Sequence, residues 1–374
     1  MMPHAKSPDR PPAAGNFARY PPTTDRSLRV MSAADELLLE WGAQQLTAED
    51  QPLVIHDRFG AVTLSLPGHP VFLSSFHSQE EALRRNASSA MPRLATVFDH
   101  SVDVRHAVMR VPKSLELWEV YLATLAHAAA PDLQVAAGFM TKYFTPRLLE
   151  VAGKYAGTVR QSRARKKARL LMLSDFIVPD GSVRPPSARV PCKSLGYASR
   201  VYRQYYGVFS GDHIDYATQF LLEQWEALAL PAQWSPARVL DIGCGNGIIG
   251  GELLVRYAGA DLTATDDALL AVESARLNLP TDRATVLYDH SLVDIPSSSH
   301  DLVVTNPPFH FGHENNIEVS LELFRQAHRI LSPGGYLVVV ANRHLNYGSH
   351  LVKWFAEVGE PAVNDKYVVY RCRH

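Results

Sequence analysis

Four residues late in the chain, Asn306-Pro307-Pro308-Phe309, combine acceptors, rigidity and an aromatic face. Two consecutive prolines remove backbone donors and fix φ, so the loop is stiff and offers acceptors only. Such a loop suits an –NH2 group carried on a flat ring. The Asn306 side-chain oxygen and the Pro307 carbonyl each take one N–H hydrogen, and Phe309 supplies a surface for stacking. The apolar run Leu302–Thr305 directly ahead reads as a strand, and ligands of open α/β sheets bind at the C-terminal edges of strands. At that place the loop is a candidate catalytic element, with Asn306, Pro307 and Phe309 as its working residues. Pro308 and His310 are assigned to the substrate side.

A second constellation lies upstream. Val239-Leu240-Asp241-Ile242-Gly243-Cys244-Gly245-Asn246-Gly247-Ile248-Ile249-Gly250 sets a glycine-rich turn between a strand and a helix. Glycine permits positive φ and lets a ligand approach the backbone. Gly245 to Gly250 also satisfies G-x-G-x-x-G, which taken alone equally suggests a dinucleotide site. Asp241 at the strand end tilts the reading, because a carboxylate there suits a cationic amino-acid moiety better than a pyrophosphate. The expected cofactor contacts are Asp241, Gly243, Gly245, Asn246 and Gly247. Asp266 ends the next strand and is placed to accept hydrogen bonds from two ribose hydroxyls, with Asp267 as the alternative or as a helix cap. Asp289, or His290, follows the third strand and belongs beside the adenine ring; Asp289 is the preferred choice.

The elements that must hold these residues alternate cleanly. Strands are expected at Arg238–Ile242, Asp261–Thr265, Ala284–Tyr288, Leu302–Thr305, Tyr336–Ala341 and Lys366–Arg371. Helices are expected at Ile248–Tyr257, Ala268–Asn278, Ile317–Ile330 and around His350–Val358. Alternation of this kind implies crossover connections and a doubly wound, mostly parallel sheet. The first half echoes the second in three places, in the same order. Ala95-Thr96-Val97-Phe98-Asp99-His100-Ser101 resembles Ala284–Ser291, the helix end Leu83–Asn86 resembles Ala275–Asn278, and Val108–Lys113 occupies the place of Val303–Pro308. The fold class is therefore α/β, with two tandem doubly wound domains. The first copy is degenerate: Arg58-Phe59-Gly60-Ala61 replaces the glycine turn, Ser74 stands for Asp266, and Asn-Pro-Pro-Phe is absent. It should keep the fold and lack the cofactor, since packing needs only the apolar pattern. The domains run as a Pro-rich, disordered tail over 1–30, a first domain over 31–176, a linker over 177–204 rich in proline, and a catalytic domain over 205–374.

The chain has 374 residues, 46% hydrophobic and 20% charged, and a formal net charge of −1. A nucleic-acid binder with that balance must gather its positive charge locally. Residues 160–169 do so, with Arg160, Arg163, Arg165, Lys166, Lys167 and Arg169 and no acidic side chain. A solvated face is the plainer reading of such a run; contact with RNA phosphates is the functional one. Cys192, Cys244 and Cys372 are too scattered for a disulfide framework or zinc site, and no metal is expected. No apolar run approaches bilayer-spanning length and no signal-peptide core is present, so a cytoplasmic protein without a membrane partner is expected, with a monomer the favoured state.

Together, the glycine turn, Asp266 and Asn-Pro-Pro-Phe resemble the class I methyltransferases that modify planar amino groups. Tyr206-Gly207-Val208-Phe209-Ser210, then Asp215 and Leu221-Leu222, is similar to the segment entering the catalytic domain of the bacterial rRNA guanine-N2 methyltransferases, the RlmG/RsmC family. Asn306–His310 and Ala341-Asn342-Arg343-His344-Leu345 strengthen the likeness, and Asn364-Asp365-Lys366-Tyr367-Val368-Val369 narrows it to the large-subunit (23S) branch. The resemblance implies a Rossmann-like catalytic domain with a mixed seven-stranded sheet whose last strand is antiparallel. It implies S-adenosylmethionine as cofactor, with Phe209 among its contacts, and methyl transfer to N2 of one guanosine in 23S rRNA, naked or in an assembling subunit. The first domain would help to bind RNA, through Arg163, Arg165, Lys166, Lys167 and Arg169. The alternatives are a 16S rRNA guanine-N2 enzyme, an adenine-N6 or glutamine-N5 methyltransferase, a dehydrogenase using the same turn, and a non-catalytic rRNA-binding assembly factor.

Overall fold

The structure, a computed structural model, describes residues 17–23, 28–88, 90–99, 103–182, 185, 187–191, 201–211, 213–307 and 317–374. The chain divides into two compact units, Met1–Ser75 with Gln79–Arg184 and Phe76–Ser78 with Pro185–His374.

The first unit opens with α1 (Ala33–Gln45), started by a reciprocal capping box. The Ser32 hydroxyl accepts from Ala34 N at 3.2 Å, and the Asp35 carboxylate accepts from Ser32 N at 2.6 Å. There follow β1 (Leu53–Ile55), β2 (Val71–Leu73), α2 (His77–Asn86), β3 (Arg93–Ala95), β4 (Val104–Arg110), α3 (Leu115–Ala128), β5 (Ala129–Met140), α4 (Pro146–Tyr155), β6 (Ala156–Gln161) and β7 (Ala168–Phe176). They form one sheet in the order β3-β2-β1-β4-β5-β7-β6, parallel except where β7 runs against β5 and β6.

In the second unit β8 (Ser187–Pro191) pairs antiparallel with β9 (Val201–Tyr205), so part of the stretch read as linker is a strand. The catalytic-half elements are α5 (Tyr216–Glu223), β10 (Arg238–Ile242), α6 (Ile248–Arg256), β11 (Asp261–Asp266), α7 (Leu269–Asn278), β12 (Ala284–Tyr288), β13 (His300–Thr305), α8 (Ile317–Ile330), β14 (Leu331–Asn342), α9 (Gly348–Leu351), β15 (Glu357–Val363) and β16 (Tyr367–Arg373). Their sheet order, β12-β11-β10-β13-β14-β16-β15, repeats that of the first unit strand for strand. β16 runs antiparallel to both β14 and β15, giving the mixed seven-stranded sheet the resemblance implied. Both faces of this sheet are covered. Along β13 and β14, Leu302, Val304, Tyr336, Val338 and Val340 enter one core, whereas Val303, Leu337, Val339 and Ala341 enter the other. Runs of β-branched residues with no polar alternation are what a doubly covered sheet requires.

One expected element differs. The helix expected around His350–Val358 is only the four-residue α9, and β15 begins at Glu357. Gly359 and Pro361 oppose helix continuation. On an edge strand, with the register shifted between Gly359 and Ala362, a proline costs no ladder hydrogen bond.

Candidate functional site

The site is built where β10 and β13 lie side by side, Ile242 opposite Thr305, so their two following loops emerge at the same sheet edge. Thr305 Oγ1 donates to the Ile242 carbonyl at 2.8 Å and ties the strand ends together. After β10 the chain turns back on itself: Gly243 N and Cys244 N both donate to the Thr265 carbonyl, at 2.8 and 2.9 Å. Gly243 and Gly245 hold φ of 70° and 56°, and a Cβ on either would meet nothing within 4 Å, so the turn faces open space. The Cys244 thiol is pushed well up by burial and by the neighbouring Asp266 and Asp241, which removes it as a nucleophile.

Two carboxylates, Asp241 and Asp266, meet this turn, and a third, Asp289, follows β12. Asp241 is fully buried; its Oδ2 accepts from Gly250 N at 2.9 Å, while its Oδ1 has no hydrogen-bond partner among the described residues. Burial pushes its carboxyl up to about 7, with the Asp266 charge adding to the shift. A buried carboxylate with one unmatched oxygen is costly unless a donor or cation arrives to meet it. Asp266 Oδ2 accepts from Gly245 N at 2.9 Å and Oδ1 from Ala268 N at 2.8 Å. These bonds do not exhaust the carboxylate's lone pairs, and burial outweighs them in raising the group to about 6. Asp289 clasps its own loop, accepting from Ser291 N and Oγ and from Leu292 N. The chemistry of this set fits a nucleoside bearing a cationic amino-acid tail: open glycines, an unmatched buried acid, and a second acid with lone pairs to spare.

Other expected contacts stand differently. The Asn246 side chain is engaged on both ends, donating to Gln204 Oε1 at 2.8 Å and accepting from Ile248 N at 3.2 Å, so what it presents toward the turn is backbone. Phe209 is 62% exposed in the loop before α5. Asn306 and Pro307 follow β13 directly. Pro308, Phe309 and His310 lie outside the described residues.

In the sequence Asn306 had no identified partner. Its Nδ2 donates to Asp215 Oδ2 at 2.9 Å and to Thr218 Oγ1 at 3.1 Å. Beside it lies a cavity of about 320 Å³ lined by Asp215, Tyr216, Asn306, Pro307, Asn342 and Lys366 among others. These come from four separated stretches of chain, so no local spacing brings them together; Asp215, Asn342 and Lys366 stand out in the sequence only as parts of the family resemblance, and Asp215 locally reads as an aspartate ahead of an apolar helix, the pattern of an N-cap.

In the first unit, the basic run forms the β6–β7 hairpin. Arg165 and Ala168 exchange backbone hydrogen bonds at 2.9 and 2.8 Å around Lys166 and Lys167, whose φ values are 47° and 61°. Two left-handed residues in a two-residue connection match the twist of the flanking strands but normally call for Asn or Gly. Arg165 pairs with Glu40 and Lys166 with Glu36, both on α1. Arg169 donates to Gln161 Oε1 at 3.1 Å, and Arg163 and Lys167 are exposed.

The second unit has the Rossmann-like fold of a class I methyltransferase. Residues 201–371 match the methyltransferase small domain family, and residues 8–177 match the RLMG N-terminal domain family. A Pseudomonas putida (strain W619) protein named ribosomal RNA large subunit methyltransferase G is 35% identical, over 97% of this chain and 98% of its own. A Streptomyces coelicolor protein of the same name is 34% identical, over 95% and 97%. The solved T. thermophilus 16S rRNA N2 methyltransferase RsmC, in complex with AdoMet and guanosine, superposes with a TM-score of 0.75 at 20% identity, over 91% of this chain and 92% of that one. The chain belongs to the ribosomal RNA large subunit methyltransferase G family and is an S-adenosylmethionine-dependent methyltransferase. Among the described residues no helix is long and apolar enough to cross a membrane.

Proposed function

We propose that this enzyme methylates the exocyclic N2 of one guanosine in 23S rRNA, in the cytoplasm. The observation that carries the reading is the acceptor pair Asn306–Pro307 at the end of β13, on the strand adjacent to the glycine turn of β10. The large-subunit assignment draws on what the family's relatives are named for, and the guanosine on the ligand bound in the RsmC structure.

S-adenosylmethionine supplies an electrophilic methyl group when bound. Asp241 would meet its cationic amino-acid end, Gly243, Gly245, Asn246 and Gly247 would line it with backbone, Asp266 would take its ribose hydroxyls, and Asp289 and Phe209 would hold the adenine. The remaining task is orientation, because a guanine N2 lone pair is delocalised into the ring. Asn306 Oδ1 and the Pro307 carbonyl hold the two N–H hydrogens, and Phe309, with Pro308 and His310, frames the base. Positioning of this kind supplies up to roughly 7–11 kcal/mol of a barrier. No strong general base is needed, since the amine becomes acidic as it is alkylated. A base must leave its stack to enter the pocket, at a cost of a few kcal/mol. Phosphate contacts at Arg163, Arg165, Lys166, Lys167 and Arg169 offset part of that cost.

The test is incubation with labelled S-adenosylmethionine and total rRNA from cells lacking the enzyme, followed by identification of the nucleoside. Label in N2-methylguanosine of 23S rRNA is expected; label in 16S rRNA or in another nucleoside overturns the reading. In the same assay Asn306→Ala should reduce transfer at least about 100-fold, the scale of losing one preorganised polar contact, with cofactor affinity close to wild type.

A further inference from the structure

An asparagine amide can act as an acceptor toward substrate only if its oxygen, and not its nitrogen, faces the substrate. The two ends are nearly the same size, so packing alone cannot choose between them. Chemistry can. Asn306 is flanked by Asp215 Oδ2 at 2.9 Å and Thr218 Oγ1 at 3.1 Å. A carboxylate oxygen accepts, so the amide nitrogen faces it; a flip would set two oxygens against each other and forfeit the Asp215 bond, whereas the Thr218 hydroxyl, donor and acceptor both, could serve either orientation. Oδ1 is thereby turned away from this pair, and among the described residues no donor meets it. Asp215 is itself fixed. It is the N-cap of α5, and the same Oδ2 accepts from Ala217 N at 3.0 Å and Thr218 N at 3.1 Å. Thr218 is buried on that helix. The helix start and the Asn306 amide therefore share one oxygen, across 91 residues of sequence.

We propose that Asp215, with Thr218, is the positioning residue of Asn306, holding the amide in the rotamer that presents Oδ1 to the target amine. This rests on the role of Asn306 proposed above. A carboxylate behind the amide does more than a neutral group: charge-assisted hydrogen bonds are the stronger ones, and a polarised N–H makes the oxygen of the same amide a better acceptor. In this role Asp215 acts through Asn306.

Asp215→Ser, Asp215→Asn and Thr218→Val separate this from a capping role. Serine caps a helix about as well as aspartate but is too short to reach Asn306. Asparagine keeps an oxygen in place and loses the charge. With total rRNA and labelled S-adenosylmethionine, Asp215→Ser should lower kcat about 10- to 100-fold, the size of losing a hydrogen bond to a charged group, while cofactor Kd and melting temperature stay near wild type. Asp215→Asn should recover to within about fivefold of wild type, and Thr218→Val should fall between the two. Wild-type kcat in Asp215→Ser, a loss seen only as weaker cofactor binding, or Asp215→Asn as impaired as the serine variant would overturn the proposal. A second reading needs no RNA. The Asn306 side-chain NH2 resonances, assigned by their loss in Asn306→Ala, should be slow to exchange with solvent in wild type and Asp215→Asn, and fast in Asp215→Ser. Equal exchange in all three sinks the positioning role. Wild-type label appearing in 16S rRNA would instead overturn the substrate assignment, and the ratios between variants and the amide exchange would still decide this proposal.

Discussion

The two units are one topology used twice, and they part company over a few residues at the ends of their first two strands. With Ile55 of β1 set against Ile242 of β10, His56 (φ 60°) corresponds to Gly243 (φ 70°), and Gly60 (φ 74°) to Gly247 (φ 82°). A Cβ on Gly60 would meet Leu83 at 2.5 Å; one on Gly247 would meet Leu279 at 3.0 Å and Ala275 at 3.3 Å. Asn86 Nδ2 donates to the Phe59 carbonyl at 2.9 Å, and Asn278 Nδ2 to the Asn246 carbonyl at 2.8 Å. The backbone path, the close helix approach and the asparagine that staples the turn are thus common property. What differs is the ligand's share. Asp241 and Asp266 are replaced by Val54 and Ser74, and Gly245 by Arg58. Across the edge where the second unit is open, the first has a fully buried Tyr121, its hydroxyl 2.9 Å from Ser75 Oγ and 3.2 Å from His56 Nδ1. Demands made by folding survive duplication; demands made by a ligand lapse once one copy suffices.

The hardest blow to this contrast is to give the second unit the first unit's residue. Gly245→Arg should weaken cofactor binding at least about 100-fold in a calorimetric titration, because the side chain enters the space the ligand needs. The fold should lose only about 1–2 kcal/mol, the cost of a left-handed non-glycine residue. Retained binding would mean that the open face of the turn is not the cofactor's. Wild-type protein should bind one equivalent per chain, and two equivalents would erase the distinction between the copies.

A gentler probe is pH. Asp241 is held at about 7 and Asp266 at about 6 by burial in the second unit, and among the described residues of the first Asp57 is comparably raised, to about 6. A raised carboxyl folds best protonated: its contribution to stability is complete below its unfolded value near 4 and is lost as pH climbs through 6 to 7. A cation reverses the preference, since it selects the carboxylate. Cofactor affinity should therefore rise about tenfold between pH 6 and 8 and then level off, with protons released on binding at the acidic end. Asp241→Asn should flatten the profile, and Asp57→Asn, in the unit without the carboxylate pair, should leave it as it is. A pH-independent affinity in wild type would remove Asp241 from the cationic end of the ligand.

How much of this was legible beforehand depends on the range over which each residue's role is set. The β10–α6 turn could be read because strand, glycines and helix are contiguous, and so could Ile317–Ile330, which α8 matches end for end. The duplication was readable from its echoes, and the identical strand orders bear it out. The stretch after His350 misled because Leu351, Trp354 and Phe355 keep helical spacing, while the partner that makes 357–363 a strand, β16, lies further on. The anchor of Asn306 was hidden by 91 residues of separation. The charge of the 160–169 run was plain, but not that Glu36 and Glu40, one helical turn apart on α1, answer two of its cations. Surface pairs of that kind contribute little, on the order of 0–1 kcal/mol, and yield readily to phosphate.

The smallest effect should come from the first unit's own substitute for a ligand. Tyr121→Phe removes one hydroxyl from a fully buried site and leaves the ring in place. Ser75 Oγ, also buried, then lacks a donor it had at 2.9 Å. The expected cost is about 1–2 kcal/mol of stability, the net value of a buried hydrogen bond whose partner is stranded, read as a lower melting temperature. Because the described residues the hydroxyl meets, Ser75 and His56, belong to its own unit, cofactor affinity and turnover should stay at wild-type values. If turnover fell while the melting temperature held, the first copy's filled edge would be coupled to the second copy's chemistry, and its loss of ligand residues would be a change of role within catalysis rather than a retreat from it.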